Sequence, residues 1–428
     1  MSDHTTLEGA ATTGWPEAGP RILLYSHDSY GLGHFRRSSS IAHAIADLCP
    51  EASLLCVTGS PRADLFPLPQ GADYVKLPSV TKSSSGEYVA RTLDHGFDAV
   101  VRLRAQTIAA VTRSYRPDVI LVDHTPLGLG SELVPMLKEQ RRRADEVHIT
   151  LGLRDILDEP RRATIELGQP ATRDAMAAYY DTILVYGHQE VCDLADEYGL
   201  SSFLAERLRY VGIACCVEGM MGMPAIPQAG PAHEPPHVVV TVGGGADGCR
   251  VVEPTIDALV SWDDRSPMRA TIVTGPLLDE AESARIQGRV RSHRNIRFLE
   301  TVPNVHELLS DADLVITMGG YNSIYEALCM RRRILALPRT HPRKEQLDRV
   351  LRLERLGLLD FVDDDAATDP SAFRARMRAA LDRPAPDARA AGLRFDGATR
   401  AAEHVLTSAR SLKLDLDDDG SRFRERSA

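Results

Sequence analysis

Short apolar runs closed by glycine, proline or charged residues alternate along the chain with longer stretches in which apolar positions recur every three or four residues. The runs read as buried strands and the longer stretches as helices packed on them. Arg21–Ser26 (RILLYS) is the first strand, followed by a loop, HDSYGLGH, and a helix on which Ile41, Ala44, Ile45 and Leu48 share one face. The same pattern predicts strands at Ser53–Thr58, Tyr74–Leu77, Val119–Asp123, Glu146–Leu151, Thr182–Tyr186 and Arg209–Gly212. Helices fall between them at Phe97–Tyr115, Ser131–Arg143 and Gln189–Tyr198. The serine-rich stretch Ser79–Asp94 and the charged stretch Asp155–Gln169 read as surface loops.

Ala214–Pro236, a run of glycine, methionine and proline, interrupts this rhythm and marks a domain boundary. A second series follows, with strands at His237–Val242, Arg269–Thr274, Ile296–Leu299, Leu314–Met318 and Ile334–Leu337. Its helices are Val251–Trp262, Asp279–Ser292, Val305–Ser310, Ser323–Met330 and Lys344–Leu356, then Pro370–Leu381 and Asp387–Ala409. Strand and helix in alternation predict an α/β protein with parallel sheets covered on both faces. The organisation is a flexible leader (1–20), a first unit (21–213), a linker (214–236), a second unit (237–411) and a disordered tail (412–428). The alanine-rich end is expected to cross back to the first unit.

A length of 428 residues agrees with two domains rather than one core. The net charge of −10 argues against a partner with a phosphate backbone, so no nucleic acid is expected. The seven cysteines show no C-x-x-C spacing and suit buried thiols in a reducing compartment. With no apolar stretch of about 20 residues and no signal-peptide pattern, the expected location is cytoplasmic. Contact with a membrane surface stays open.

The candidate chemistry centres on TMGGYNSIYEAL, Thr317–Leu328. Gly319 and Gly320 allow a sharp turn into a helix whose first N–H groups lack intrahelical partners, a geometry suited to phosphate. Asn322 and Ser323 add side-chain donors, and Glu326, one turn on, suits vicinal hydroxyls. Phosphate plus diol points to a nucleotide sugar; a capped turn followed by a solvated glutamate is the alternative. Gly244 and Gly245, in VTVGGGADG, again permit backbone approach to a pyrophosphate or sugar. Thr301–Val305 either touches a base or is an ordinary connection. Arg339, His341, Arg343, Lys344, Glu345 and Gln346 form a cluster that reads sugar hydroxyls and offsets diphosphate charge, or forms a solvated face.

In the first loop, Gly31 and Gly33 give only part of a dinucleotide fingerprint, because Arg36 stands where a third glycine is needed. The loop places His34 at a helix start, which favours the neutral ring and makes it the candidate general base, with a capping histidine as the alternative. His27 and Asp28 are further candidates nearby. Arg36 and Arg37 are either anion ligands or solvated. Asp123, with His124 beside it, and Glu132 are acceptor-side residues or helix caps. Arg141–Arg143 and Arg331–Arg333 read as surface. No zinc-type His/Cys spacing appears, and no metal is expected.

Taken together, SHDSYGLGHFRR, VTVGGGADG, GGYNSIYEAL and LPRTHPRKEQLDR resemble the GT-B glycosyltransferases. The likeness is to family 28, which includes the transferase that adds N-acetylglucosamine to the peptidoglycan lipid precursor, and within it to a bacterial branch of predicted glycosyltransferases. The resemblance implies two Rossmann-like domains facing a cleft and no cofactor beyond a nucleotide-sugar co-substrate, expected to be a UDP-sugar. It implies that His34 deprotonates the acceptor, that Gly244 and Gly245 lie by the donor, and that Gly320, Asn322 and Ser323 hold its diphosphate. Glu326 would hold the ribose and Gln346 the donor sugar. The acceptor, whether glycan, lipid-linked or small molecule, does not carry over, because the loop is YGLGH and Arg36 and Arg37 depart from the lipid-precursor pattern. Positions eight away from Glu326 are Met318 and Ile334, so the glutamate pair of retaining relatives is missing and inversion is implied. The alternatives are a sugar-nucleotide 2-epimerase of the same fold and a non-catalytic nucleotide-sugar-binding protein.

Overall fold

The computed structural model describes residues 19–27, 33–82, 87–143, 146–157, 170–215, 235–245, 247–262, 268–302, 304–341 and 343–425. Most of the leader and of the linker, and the candidates Asp28 and Gly31, lie outside them.

The first half runs β1 (Arg21–Ser26), α1 (Gly33–Leu48), β2 (Ser53–Thr58), β3 (Ala72–Lys76), β4 (Val80–Lys82), β5 (Tyr88–Ala90), α2 (Phe97–Tyr115) and β6 (Val119–Asp123). It continues with α3 (Val134–Gln140), β7 (His148–Arg154), α4 (Pro170–Tyr179), β8 (Thr182–Tyr186), α5 (Leu194–Glu197), α6 (Ser202–Ala205) and β9 (Leu208–Tyr210). Seven of these strands form one sheet in the order β3-β2-β1-β6-β7-β8-β9, parallel throughout. The segment expected to be a serine-rich loop contains the antiparallel hairpin β4–β5, anchored because Val80 packs with Val100 and Leu129. The helix expected over Gln189–Tyr198 shrinks to α5, because Asp193 caps the chain there with bonds to the N–H groups of Ala195 and Asp196.

The second half contains β10 (His237–Thr241), α7 (Cys249–Val260), β11 (Arg269–Val273), α8 (Glu280–Val290), β12 (Ile296–Leu299), α9 (Val305–Ser310), β13 (Leu314–Thr317) and α10 (Tyr321–Cys329). Then come β14 (Arg333–Ala336), α11 (Glu345–Arg355), β15 (Asp360–Phe361), α12 (Asp364–Thr368), α13 (Pro370–Asp382) and α14 (Gly397–Glu425). Its six-stranded sheet has the order β12-β11-β10-β13-β14-β15. Both sheets reverse direction beside their first strand, between β1 and β6 and between β10 and β13. Such switch points open a crevice at the carboxyl ends of the strands, where ligands bind in this kind of sheet. The loops after β1, β6, β10 and β13 are those that the sequence marked for chemistry.

α14 crosses back and packs on α1, β6 and β7. Ala398, Ala401, Ala402, Val405, Leu406 and Ala409 are buried in the same cluster as Ile22 and Leu24. Residues up to 411 that were assigned to the second unit therefore belong in space to the first. The helix continues to Glu425, through the stretch expected to be disordered.

The halves are joined by buried polar contacts. Asp155, expected on a surface loop, is fully buried, accepting from Arg349 Nε at 2.9 Å and Nη2 at 2.8 Å and from Tyr325 Oη at 2.7 Å. Arg349 Nη1 also donates to the Gly319 carbonyl at 3.1 Å. Tyr321 Oη donates to the Tyr186 carbonyl at 2.8 Å and accepts from the Ala214 N–H at 2.9 Å. Removing one member of a buried ion pair strands the other in low dielectric. Arg349→Met is expected to cost about 3 to 5 kcal/mol in urea denaturation, and Asp155→Leu/Arg349→Met to recover most of it. A double variant as unstable as the single one would count against this account.

Candidate active site

His34 lies in the first turn of α1, and Asp123 ends the neighbouring switch-point strand β6. Register therefore brings them together, with His34 Nδ1 2.6 Å from Asp123 Oδ2. A carboxylate only accepts, so Nδ1 carries the proton and the lone pair lies on Nε2. Arg37, one turn along α1, clamps the same carboxylate with Nε at 2.9 Å from Oδ1 and Nη2 at 2.7 Å from Oδ2. Burial works against the charge on Asp123, but Arg37 and His34 overcome it and hold the carboxyl well below the usual range. The histidine thus sits on a fixed, ionised carboxylate, with its side chain 16% exposed.

Two more imidazoles flank it. The His27 and His124 rings lie 4.7 and 5.2 Å from that of His34. Burial, with neighbouring positive groups, keeps both well below the ordinary histidine value, so they are neutral. Glu132 is not part of this group. It is buried under Tyr25 and Arg104, as a structural anchor of α2.

Across the cleft stands the α10 N-terminus. Gly319 has φ +86°, and an added Cβ would lie 2.8 Å from Val350 Cγ2, so glycine is required there. Gly320 is the N-cap without a side-chain cap, the first turn carries no acid, and a Cβ added at Gly320 would meet nothing within 4 Å. Asn322 Nδ2 donates to the Gly33 carbonyl at 3.5 Å, which sets the open helix end directly against the His34 loop. Ser323 is half-buried in the same turn.

Glu326 is buried on α10 and makes an ion pair at 2.6 Å with Arg36, from the opposite half. Burial pushes its carboxyl up to about 7 despite Arg36. The same surroundings lower His306, 3.8 Å away, to about 4. The acceptor-side Arg36 and the donor-side Glu326 thus meet one another, and Arg37 is neither solvated nor free for a ligand.

Gly245 has φ +92°, and a Cβ there would lie 2.0 Å from the Thr274 carbonyl oxygen, which locks the loop after β10 against β11. Gly244 is half-exposed beside it. Arg339 bridges this loop to α11, bonding Asp247 and Glu345 at 2.9 Å each. Gln346 Oε1 accepts from the Arg339 N–H at 3.0 Å, which leaves its amide NH₂ for a ligand. Asn304 caps α9 through the His306 N–H, in agreement with the ordinary-connection reading of that loop.

Sequence reasoning missed Asp155, Arg349 and Arg154, because each draws its role from the opposite half or from a neighbouring strand. It also missed Cys249, Glu253 and Glu282, which the i, i+4 spacing on α7 and the α7–α8 contact bring together. Arg285 bonds both glutamates, and Arg289 bonds Glu253 as well.

No protein-family profile matches the sequence, and no curated protein matches it. Solved structures do. A glycotransferase of kitacinnamycin is similar with a TM-score of 0.60 and 16% identity, over 91% of this chain and 99% of that one. MurG from Acinetobacter baumannii is similar with a TM-score of 0.53 and 11% identity, over 92% and 99%. A UDP-GlcNAc 2-epimerase from Neisseria meningitidis, bound to UDP-GlcNAc, is similar with a TM-score of 0.55 and 12% identity, over 91% and 100%.

Glu326 supplies a pH test of the site. Its carboxyl titrates at about 7 when folded against 4.5 ordinarily, so between these values the unfolded chain is ionised while the folded one keeps its proton. Stability is therefore present at low pH and lost as pH rises through that window, by about 3 kcal/mol. Glu326→Gln is expected to flatten that slope in urea melts between pH 4.5 and 8, and a variant with the wild-type slope would contradict the assignment.

With two parallel-sheet Rossmann-like halves facing one cleft, and solved structures of that architecture matching over nine-tenths of its length, the chain has the GT-B fold.

Proposed function

We propose that the protein is an inverting glycosyltransferase that moves a hexose or N-acetylhexosamine from a nucleotide-diphosphate sugar, a UDP-sugar, to an acceptor hydroxyl. One observation carries the reading: the His34–Asp123 pair faces an uncapped helix N-terminus across a single gap. A base that shares a cleft with an anion cradle suits attack by a deprotonated hydroxyl on an anomeric carbon as diphosphate leaves.

In this reading His34 Nε2 takes the acceptor proton, and Asp123, held ionised by Arg37, orients the ring and stabilises the imidazolium that forms. The backbone of Gly320 and the side chains of Asn322 and Ser323 receive the diphosphate. Gly244 and Gly245 leave room for the donor, and Gln346 and Arg339 contact its sugar. The ribose diol takes Glu326 in place of Arg36, whose charge then turns towards the phosphates. Leaving-group charge is met by the helix terminus and these bases, and the step then requires no metal.

Epimerase structures resemble this chain as well as transferases do, which supports a second reading, 2-epimerisation of the donor sugar. Incubation with UDP-N-acetylglucosamine alone separates the two. A stable donor is expected here, and rapid formation of the 2-epimer would overturn transfer.

His34→Ala is expected to leave UDP affinity intact and to lower turnover by about 10² to 10⁴, read from single-turnover transfer or donor hydrolysis. Near-normal turnover would remove His34 as the base. Glu326→Ala is expected to weaken UDP by about 1 to 3 kcal/mol in calorimetry, and unchanged affinity would exclude the ribose contact.

A further inference from the structure

Arg154, in the cleft, forms no ion pair among the described residues. Arg36 is paired with Glu326, Arg37 with Asp123, Arg339 with Asp247 and Glu345, and Arg349 with Asp155. Arg154, the last residue of β7, is largely enclosed and has no carboxylate within ion-pair distance among the described residues. Among the described residues it bonds only through Nη2, to His124 Nε2 at 3.5 Å, and its Nε is buried without a partner. Of the nearest acids, Asp155 is committed to Arg349 and Tyr325, and Glu345, which attracts Arg154 from beyond ion-pair distance, gives its Oε1 to Arg339.

Two imidazole nitrogens beside it are also unmatched. Among the described residues, His27 Nδ1 and His124 Nδ1 are buried without hydrogen-bond partners. His124 Nε2 accepts from Arg154, so its Nδ1 bears the proton and is a donor. His124 is held at φ +72°, in the left-handed region uncommon for a side chain of this size. Its N–H is tied to the Gly152 carbonyl at 2.7 Å. The fold thus accepts backbone strain to keep this ring between Arg154 and His34.

Buried charges are ordinarily paired, and buried donors bonded. A guanidinium and an imidazole N–H left open at the carboxyl edge of β1, β6 and β7 call for an anion. Burial, with Arg349 and Arg37 nearby, outweighs the opposing charges of Glu345 and Asp155 and lowers Arg154 to about 10, the direction taken by a cation without a contact counter-ion. The position identifies whose anion it is. Arg154 reaches His34 through the single ring of His124, on the half opposite the α10 N-terminus that suits the donor diphosphate.

Resting on the transferase reading above, we propose that Arg154, His124 and His27 form an anion subsite for the acceptor, which therefore carries a phosphate or carboxylate close to the hydroxyl that His34 deprotonates. The same anionic chemistry arises from two other sources, the donor's own diphosphate and a carboxylate on the donor sugar, and the test separates them.

Inorganic phosphate is titrated calorimetrically into protein saturated with UDP, so that the α10 terminus is already filled. Wild-type protein is expected to bind phosphate saturably, and Arg154→Gln to weaken it by about tenfold or more. UDP affinity is expected to stay within about twofold, and the melting temperature of ligand-free Arg154→Gln to hold or rise, because an uncompensated buried charge is removed. Arg154→Lys is expected to restore part of the phosphate binding. Phosphate binding indifferent to Arg154→Gln would overturn the subsite. A tenfold loss of UDP affinity would reassign the cation to the leaving diphosphate, and a loss selective for UDP-glucuronate over UDP-glucose to the donor sugar. A large fall in melting temperature, unrelieved in Arg154→Lys, would make it structural. Arg154-dependent phosphate binding in a protein that ignores UDP would sustain the subsite while the transferase reading fell.

Discussion

The fully buried ion pair between Asp155 and Arg349 sets the relation between the halves. Each charge loses its hydration, and only the bidentate geometry, supplemented by Tyr325 and by the Gly319 carbonyl, compensates. Such a pair contributes little net stability against an apolar alternative, but it penalises every arrangement in which the halves slide. The Gly319 carbonyl belongs to the glycine turn before α10, and Asp155 follows Arg154 at the end of β7. One interaction therefore fixes the open helix end of one half relative to the strand ends of the other.

From that joint the cleft divides its labour by charge. On one side a histidine rests on a carboxylate made permanent by Arg37; on the other a helix terminus has neither cap nor acid. Between them Arg36 spans the gap to Glu326, the carboxylate least comfortable with its charge. Because Glu326 is buried and its partner is partly exposed, this pair is held less firmly than one enclosed on both sides. Asp155, with two guanidinium bonds and a tyrosine, is the opposite case.

Much of this was legible from residue order. Except for the two-residue β15, the strands of both sheets were marked by apolar runs; the loops leading to His34, Gly244 and Gly320 followed from their glycines, and Asp123 from the end of an apolar run. Local pattern also marked the glycine turn into α10, since Gly-Gly before Tyr-Asn-Ser needs no distant partner to be read. Partnership was not legible. Arg36 and Arg37 are adjacent and chemically alike, yet one crosses to Glu326 and the other turns inward to Asp123, because α1 presents them to different sides. Asp155 looked like the start of a charged loop, and only the second half reveals it as buried. Glu132 looked available beside a site, but Arg104 and Tyr25, on other elements, claim it. Periodicity reports which face of an element is apolar; it does not report which polar groups meet across a domain joint.

The crossing of α14 has a consequence for the order in which the protein matures. Its alanine-rich face closes over α1, β6 and β7, so the sheet that carries His34 and Asp123 is synthesised first but keeps an uncovered flank while the whole second half is being translated. Only when residues beyond 397 leave the ribosome does that flank acquire its lid. The half that emerges first is the half that finishes last, and it depends on the far end of its own chain for completion.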